Sequence, residues 1–208
     1  PVITEKIQHL TKDDQQDMVN ELLQRASKGK NIYKIGEVLY HFVLDEEKHI
    51  VYLTDITKEY ALENKEKQQQ AVVGILSVDN YDDVIDRRDD KEISNLNSFI
   101  TTIISDWMDS YRIFYKRVNE ERFFLFARYD DLEKMIENNF DLLEHIRVSA
   151  EKQDMLITVS IGISYGTESL EVIGDEAQNN LDIALVRGGD QVVVKNAAKG
   201  QKPVFYGG

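Results

Sequence analysis

Asp79 and Glu121 are the two carboxylates whose placement could do chemistry. Asp79 closes the apolar run that begins at Ala71, and Glu121 lies in the acidic bend Asn119-Glu120-Glu121. That bend separates two β-rich aromatic stretches, Ile113-Phe114-Tyr115 and Phe123-Phe124-Leu125-Phe126, so Ile113 to Ala127 reads as a hairpin. Carboxylates suit a hard cation such as Mg²⁺, which would bring a nucleotide's phosphates with it. Arg122 follows Glu121 directly; its guanidinium can clamp a phosphate or pair with that carboxylate, but cannot serve as a general base. The plain alternative is that these charges close a strand end and a turn, and two carboxylates alone favour it.

Other residue types exclude more than they suggest. His9, His41, His49 and His145 are scattered, with no second histidine or cysteine at metal-ligand spacing. Arg187-Gly188-Gly189-Asp190 lacks the lysine and hydroxyl residue of a P-loop and falls between a helix and a strand, so it reads as a helix-ending turn. With no cysteine, disulfides, thiolate metal sites and a thiol nucleophile are all ruled out, and a reducing compartment fits.

The elements that must position the two carboxylates follow from periodicity. Ala71 to Val78 is a near-continuous apolar run, as expected of a strand buried on both faces. Ile93, Leu96, Ile100, Ile103, Ile104, Trp107 and Tyr111 follow the helical period, so a long helix precedes the hairpin. Leu132 to Ile146 predicts one helix after the hairpin and Leu156 to Tyr165 a strand. The order β, α, β, β, α, β is the split βαβ arrangement, in which right-handed crossovers set the first and third strands side by side and antiparallel at the sheet centre. Ser77 to Asp79, at the carboxyl end of the first strand, then lies beside Glu121 and Arg122. Ala177 to Val186 predicts a last helix and Gln191 to Lys195 a last strand.

Upstream, Asp13 to Ala26 predicts a helix with Thr11 as N-cap and Gly29 as its stop. Ile32 to Ile35, Val38 to Leu44 and Ile50 to Leu53 predict a three-stranded meander, marginal on its own. Thr57 to Gln70 is polar and helix-favouring, a connecting spacer stiff enough to transmit rotation or dimer register. The expected fold class is α+β, divided as 1–56, a linker helix 57–70, a main domain 71–199 and a tail 200–208.

The 208 residues carry 25 basic and 38 acidic side chains, a formal charge of −13, which disfavours binding to nucleic acid or an anionic membrane. No apolar stretch approaches the roughly 20 residues that span a bilayer, and Pro1 to Leu10 lacks the apolar core of a signal peptide. The expectation for these residues is a soluble, cytoplasmic protein.

Four stretches carry a family resemblance: Gly74-Ile-Leu-Ser-Val-Asp-Asn-Tyr-Asp-Asp, Asn119-Glu-Glu-Arg-Phe, Ile157-Thr-Val-Ser-Ile-Gly-Ile-Ser and Leu181-Asp-Ile-Ala-Leu-Val-Arg-Gly-Gly-Asp-Gln. Together, over about Ala71 to Lys195, they resemble a degenerate GGDEF domain of the GdpP-type cyclic-di-AMP phosphodiesterases. Ile50-Val-Tyr-Leu-Thr-Asp-Ile-Thr resembles the final strand of a PAS domain, of which only the later half is covered, and Phe205-Tyr-Gly-Gly resembles the lead-in to a DHH/DHHA1 module. In an active GGDEF cyclase a metal-binding aspartate stands at Ser77 and a catalytic acid at Arg122, while the third-position acid survives as Glu121. The two glycines that admit GTP are Asn119 and Glu120, the guanine-reading asparagine aligns with Ile85, and Ser110 to Ile113 lacks the Arg-x-x-Asp inhibition motif.

The resemblance therefore implies a regulatory region without diguanylate cyclase activity. Ser77, Asp79, Glu121 and Arg122 are the candidate nucleotide and metal residues, with Mg²⁺ and ATP as ligands and slow ATP hydrolysis as the most such a site would support. It also implies a homodimer, membrane helices N-terminal to these residues that anchor the whole protein, and a manganese-dependent DHH module, outside this sequence, acting on cyclic-di-AMP. Some PAS domains of the group are linked to haem, but no axial ligand stands out in Pro1 to Ile56. The alternative reading is a dimerisation scaffold that binds no nucleotide.

Overall fold

A computed structural model describes residues 12–208 apart from 46, 48, 49, 87, 168 and 199. Thr11, His9, His49 and part of the turn at 45–48 lie outside the described residues. The chain divides into two compact units between Glu66 and Lys67, inside the stretch expected to link them.

In the first unit, helix α1 (Lys12–Ser27) precedes three antiparallel strands, β1 (Ile32–Ile35), β2 (Val38–Asp45) and β3 (Ile50–Asp55), in sheet order β1-β2-β3. Helix α1 stops as expected at Gly29, whose φ of +70° lets the Lys30 amide turn back to the Arg25 carbonyl. Among the described residues of this unit, Leu22, Tyr40 and Phe42 are the buried apolar side chains. Asp55 then starts helix α2 (Thr57–Gln69): its carboxylate accepts hydrogen bonds from the Thr57 amide and hydroxyl at 2.9 and 2.6 Å, and the Leu39 amide donates to the Thr57 hydroxyl. Helix α2 buries none of its residues; near its end Lys67 lies 4.0 Å from the Glu133 carboxylate and 4.8 Å from the centre of the Tyr129 ring.

The second unit is a six-stranded sheet in the order β5-β6-β4-β7-β8-β9. Strand β4 (Ala71–Asp79) lies between β6 (Arg122–Arg128) and β7 (Thr158–Tyr165), antiparallel to both, and β5 (Phe114–Arg117) completes the hairpin with β6. This is the expected split βαβ frame, with the first and third strands paired at its centre.

One face of the sheet packs on the main core. Helix α3 (Tyr81–Ile85) is a single turn, and α4 (Asp90–Ser110) begins with a capping box between Asp89 and Glu92. Along α4, Leu96, Ile100, Ile104, Trp107 and Met108 are buried, as the helical period predicts. Two helices follow the hairpin where the periodicity predicts one: α5 (Tyr129–Glu137) and α6 (Leu142–Glu151). Asn139 and Phe140, both with positive φ, break the run, and Phe140 is fully buried with its ring 5.0 Å from that of Tyr206. The break is held by tertiary packing, not by a glycine or proline.

The other face is covered over β4, β7 and β8 by α7 (Leu170–Val186), which starts seven residues earlier than predicted and is capped by the Ser169 hydroxyl. Gly162 lets this helix approach: a Cβ there would lie 2.2 Å from the Ala177 carbonyl oxygen and the Leu181 nitrogen. Strand β8 (Gln191–Asn196) runs parallel to β7. The segment expected as a tail contains β9 (Val204–Gly207), which pairs antiparallel with β8 and closes that edge of the sheet.

Candidate functional site

At the carboxyl end of β4, strand register brings the candidates together. Ser77 is the direct cross-strand partner of Arg122, and the Val78 amide donates to the Glu121 carbonyl at 2.7 Å. The bend itself is an Asx-type turn: the Asn119 side-chain oxygen accepts from the amides of Glu121 and Arg122 at 3.1 and 2.8 Å. Asparagine therefore supplies the turn chemistry here.

Arg117, which the sequence reading passed over, braces this tip. Its guanidinium donates to the carbonyls of Asn119 and Glu120, and also to Asn97 and Thr101 on α4 at 2.7 and 2.8 Å. The readable signal was the polar stripe Ser94, Asn97, Ser98 and Thr101, spaced along one side of an otherwise apolar helix. Glu121 and Arg122 are both partly exposed, with Oε1 3.7 Å from Nε, and Arg122 Nε has no hydrogen-bond partner. The guanidinium thus partly neutralises Glu121 and keeps donors to spare.

Asp79 has different surroundings. It is 7% exposed, and its Oδ2 accepts from the Thr158 hydroxyl at 2.8 Å, the Ser160 hydroxyl at 3.0 Å and the Asp190 amide at 2.9 Å. Gly189 permits that approach, because a Cβ there would stand 2.8 Å from Oδ2. Burial pushes the Asp79 carboxyl above the ordinary carboxylate range, against the three hydrogen bonds, which favour its charged form. Asp190 is held in turn by Arg147, which donates to its Oδ2 through Nε and a terminal nitrogen at 3.1 and 2.6 Å. Arg187-Gly188-Gly189-Asp190 is accordingly the turn between α7 and β8, docked on the end of β4.

A metal at Asp79 would compete with three donors for Oδ2 and find only the buried Oδ1. A Mg²⁺ ion shared by Asp79 and Glu121 does not fit this arrangement. Among the described residues no three histidine, cysteine, aspartate or glutamate side chains gather as a metal site. Gly162-Ile163-Ser164-Tyr165-Gly166 has the spacing of a hydrolase nucleophile elbow, which the sequence reading overlooked. Ser164 lies within β7, wholly buried and hydrogen-bonded to no base, so the motif is strand packing.

Solved structures share this frame. The chain matches the GGDEF domain of DgcB from Caulobacter crescentus in complex with c-di-GMP at a TM-score of 0.50 and 19% identity, covering 65% of this chain and 84% of that one. It also matches the adenylyl cyclase CyaB from P. aeruginosa at a TM-score of 0.51 and 8% identity, over 61% and 76% of the two chains. The fold is therefore that of the palm-like cyclase and GGDEF domains. Within that class the chain belongs to the family of cyclic-di-AMP phosphodiesterase GdpP-like GGDEF domains, whose model matches residues 76–204.

Among curated relatives, cyclic-di-AMP phosphodiesterase PdeA of Listeria monocytogenes serotype 1/2a (strain 10403S) is 37% identical over 166 residues, 80% of this chain. Cyclic-di-AMP phosphodiesterase GdpP of Bacillus subtilis (strain 168) is 33% identical over 169 residues, 81% of this chain. The chain spans 25% of the length of each of these two relatives. Among the described residues no helix is long and apolar enough to cross a membrane.

Proposed function

We propose that this chain is the regulatory PAS–GGDEF region of a membrane-anchored cyclic-di-AMP phosphodiesterase, with a degenerate GGDEF domain that binds ATP without cyclase chemistry. The observation that carries this reading is the pairing of Ser77 with Arg122 at the end of β4. Those are the two positions where the family resemblance expects a metal-binding aspartate and a catalytic acid. A hydroxyl opposite a guanidinium offers no bed for metal ions but does offer donors for phosphate oxygens. Glu121 is the remaining acid and the contact for a nucleotide-borne Mg²⁺. Cleavage of cyclic-di-AMP belongs to a manganese-dependent DHH module beyond these residues, and the first unit with α2 passes a signal to it within a homodimer.

The test is calorimetric titration of the chain with ATP and with GTP, each with and without Mg²⁺, repeated on Glu121→Ala. Metal-dependent binding that the variant loses is expected; no heat from either nucleotide at millimolar concentration would remove the site. A second reading, a dimerisation scaffold without nucleotide affinity, is favoured by α2, which buries no residue and exposes Tyr60 and Leu62. Sedimentation of the chain with and without residues 1–70 tests it, and a monomer at all concentrations counts against it.

A further inference from the structure

Between α4 and α6 lies an open groove of about 370 Å³, away from the hairpin tip. Trp107 and Tyr111 line it with their rings 5.0 Å apart, and both donate to Asp141, the indole nitrogen at 2.7 Å and the Tyr111 hydroxyl at 3.4 Å. Both bonds fall on Oδ1, so Oδ2 of Asp141 has no donor among the described residues. Asp106, also in the lining, is exposed, and its carboxylate has neither a hydrogen bond nor an ion pair among the described residues. Two carboxylates and two aromatic rings thus share a concave surface whose lining includes no lysine or arginine among the described residues. A planar guanidinium fits such a surface, because it stacks on aromatic rings while its paired donors meet a carboxylate.

Arg112 follows Tyr111 directly, and its exposed side chain makes no hydrogen bond or ion pair among the described residues. It also occupies a position that glycine most often fills. Helix α4 ends in a Schellman turn, the Ile113 amide donating to the Met108 carbonyl at 3.0 Å and the Arg112 amide to the Asp109 carbonyl at 3.1 Å, with Arg112 at a φ of +55°. Glycine takes up that conformation without the strain an arginine bears. A cationic side chain is therefore kept at an unfavourable backbone position without a partner among the described residues of its own chain.

A free guanidinium beside a groove that lacks one makes the surface self-complementary. We propose that two copies of this chain pair across it, each Arg112 entering the groove of the other at Asp106 and Asp141. A two-fold axis satisfies both contacts at once. Val148, 38% exposed and three residues beyond His145 of the groove on α6, adds apolar area alongside. The charge of −13 makes two copies repel, but salt screens exposed charges beyond about 8 Å, whereas these pairs are in direct contact. The result is a weak, concentration-dependent dimer. This inference rests on the homodimer of the proposed reading, gives it a surface in the second unit, and is independent of any nucleotide at the hairpin tip.

The experiment is sedimentation equilibrium of the whole chain, of Arg112→Glu, of Asp106→Arg, of the two variants mixed in equal amounts, and of Arg112→Gly. The parent should form a dimer that added salt weakens. Arg112→Glu and Asp106→Arg should each weaken it about tenfold or more, since like charges then meet at both contacts. Their mixture should pair again, because each contact of the mixed dimer once more joins an acid and a base, while the mean charge equals the parent's. Arg112→Gly should lose the dimer, yet its thermal midpoint, taken where the parent is monomeric, should stay at or above the parent's.

A mixture no more dimeric than either variant alone would overturn the groove. A parent dimer untouched by both substitutions would overturn it too, and leave the homodimer to other residues. A parent that stays monomeric at millimolar concentration would overturn both.

Discussion

A buried carboxyl that keeps its proton longer than it would in the unfolded chain leaves a signed trace on stability. For Asp79, the native state binds the proton up to a higher pH, so between the two midpoints unfolding releases it and stability falls as pH rises. Asp79→Asn keeps an acceptor for Thr158, Ser160 and the Asp190 amide and removes that titration. The stability of the variant relative to the parent should therefore rise with pH across the window that opens at the ordinary aspartate midpoint, as urea unfolding at a series of pH values would show. Gly189→Ala tests the same junction sterically. Its Cβ would press on Asp79 at a φ of +76°, and a loss of about 1–3 kcal/mol in the same assay is expected. The contact between Asp79 and Asp190 spans 111 residues, and no local pattern announces it. The meeting of Ser77 with Arg122, by contrast, was legible, because topology alone places those strand ends together.

Among the elements, α7 depends on Gly162 more than on its own apolar stripe. A methyl group there would meet helix backbone, which cannot rotate aside, so Gly162→Ala should cost roughly 3 kcal/mol or more and lower the thermal midpoint by calorimetry. The early start of α7 was missed because Leu170 and Val172 are exposed and do not mark a buried stripe, although Ile173 does. The break between α5 and α6 was missed for the opposite reason. Leu132, Met135, Ile136, Leu142, Leu143 and Ile146 keep an apolar rhythm across it, and only the burial of Phe140 shows that the chain must turn. The hairpin and β4 were readable, since aromatic and β-branched runs on either side of a polar bend have few other uses.

At the scale of the whole chain, Trp107 is the only tryptophan and lies in the second unit, buried, with its ring nitrogen donating to Asp141 at 2.7 Å. Its emission therefore reports that unit alone. The α+β class and the order of the central strands were legible because right-handed crossovers leave few arrangements of βαββαβ. The sixth strand was not, since four residues after a proline carry too short a pattern.

That last strand decides how the protein behaves in company. Gln191-Val192-Val193-Val194 is buried, without charge and, after Gln191, β-branched, and β9 occupies its outer hydrogen-bonding edge. A chain stopped at Lys202 would present that edge bare, a template on which like chains add strand to strand. Light scattering from such a shortened chain should grow with concentration and time, while the chain ending at Gly208 stays clear. The family model stops at residue 204, one residue into β9, so a domain cut at that boundary would be prone to precipitate for reasons unrelated to its site.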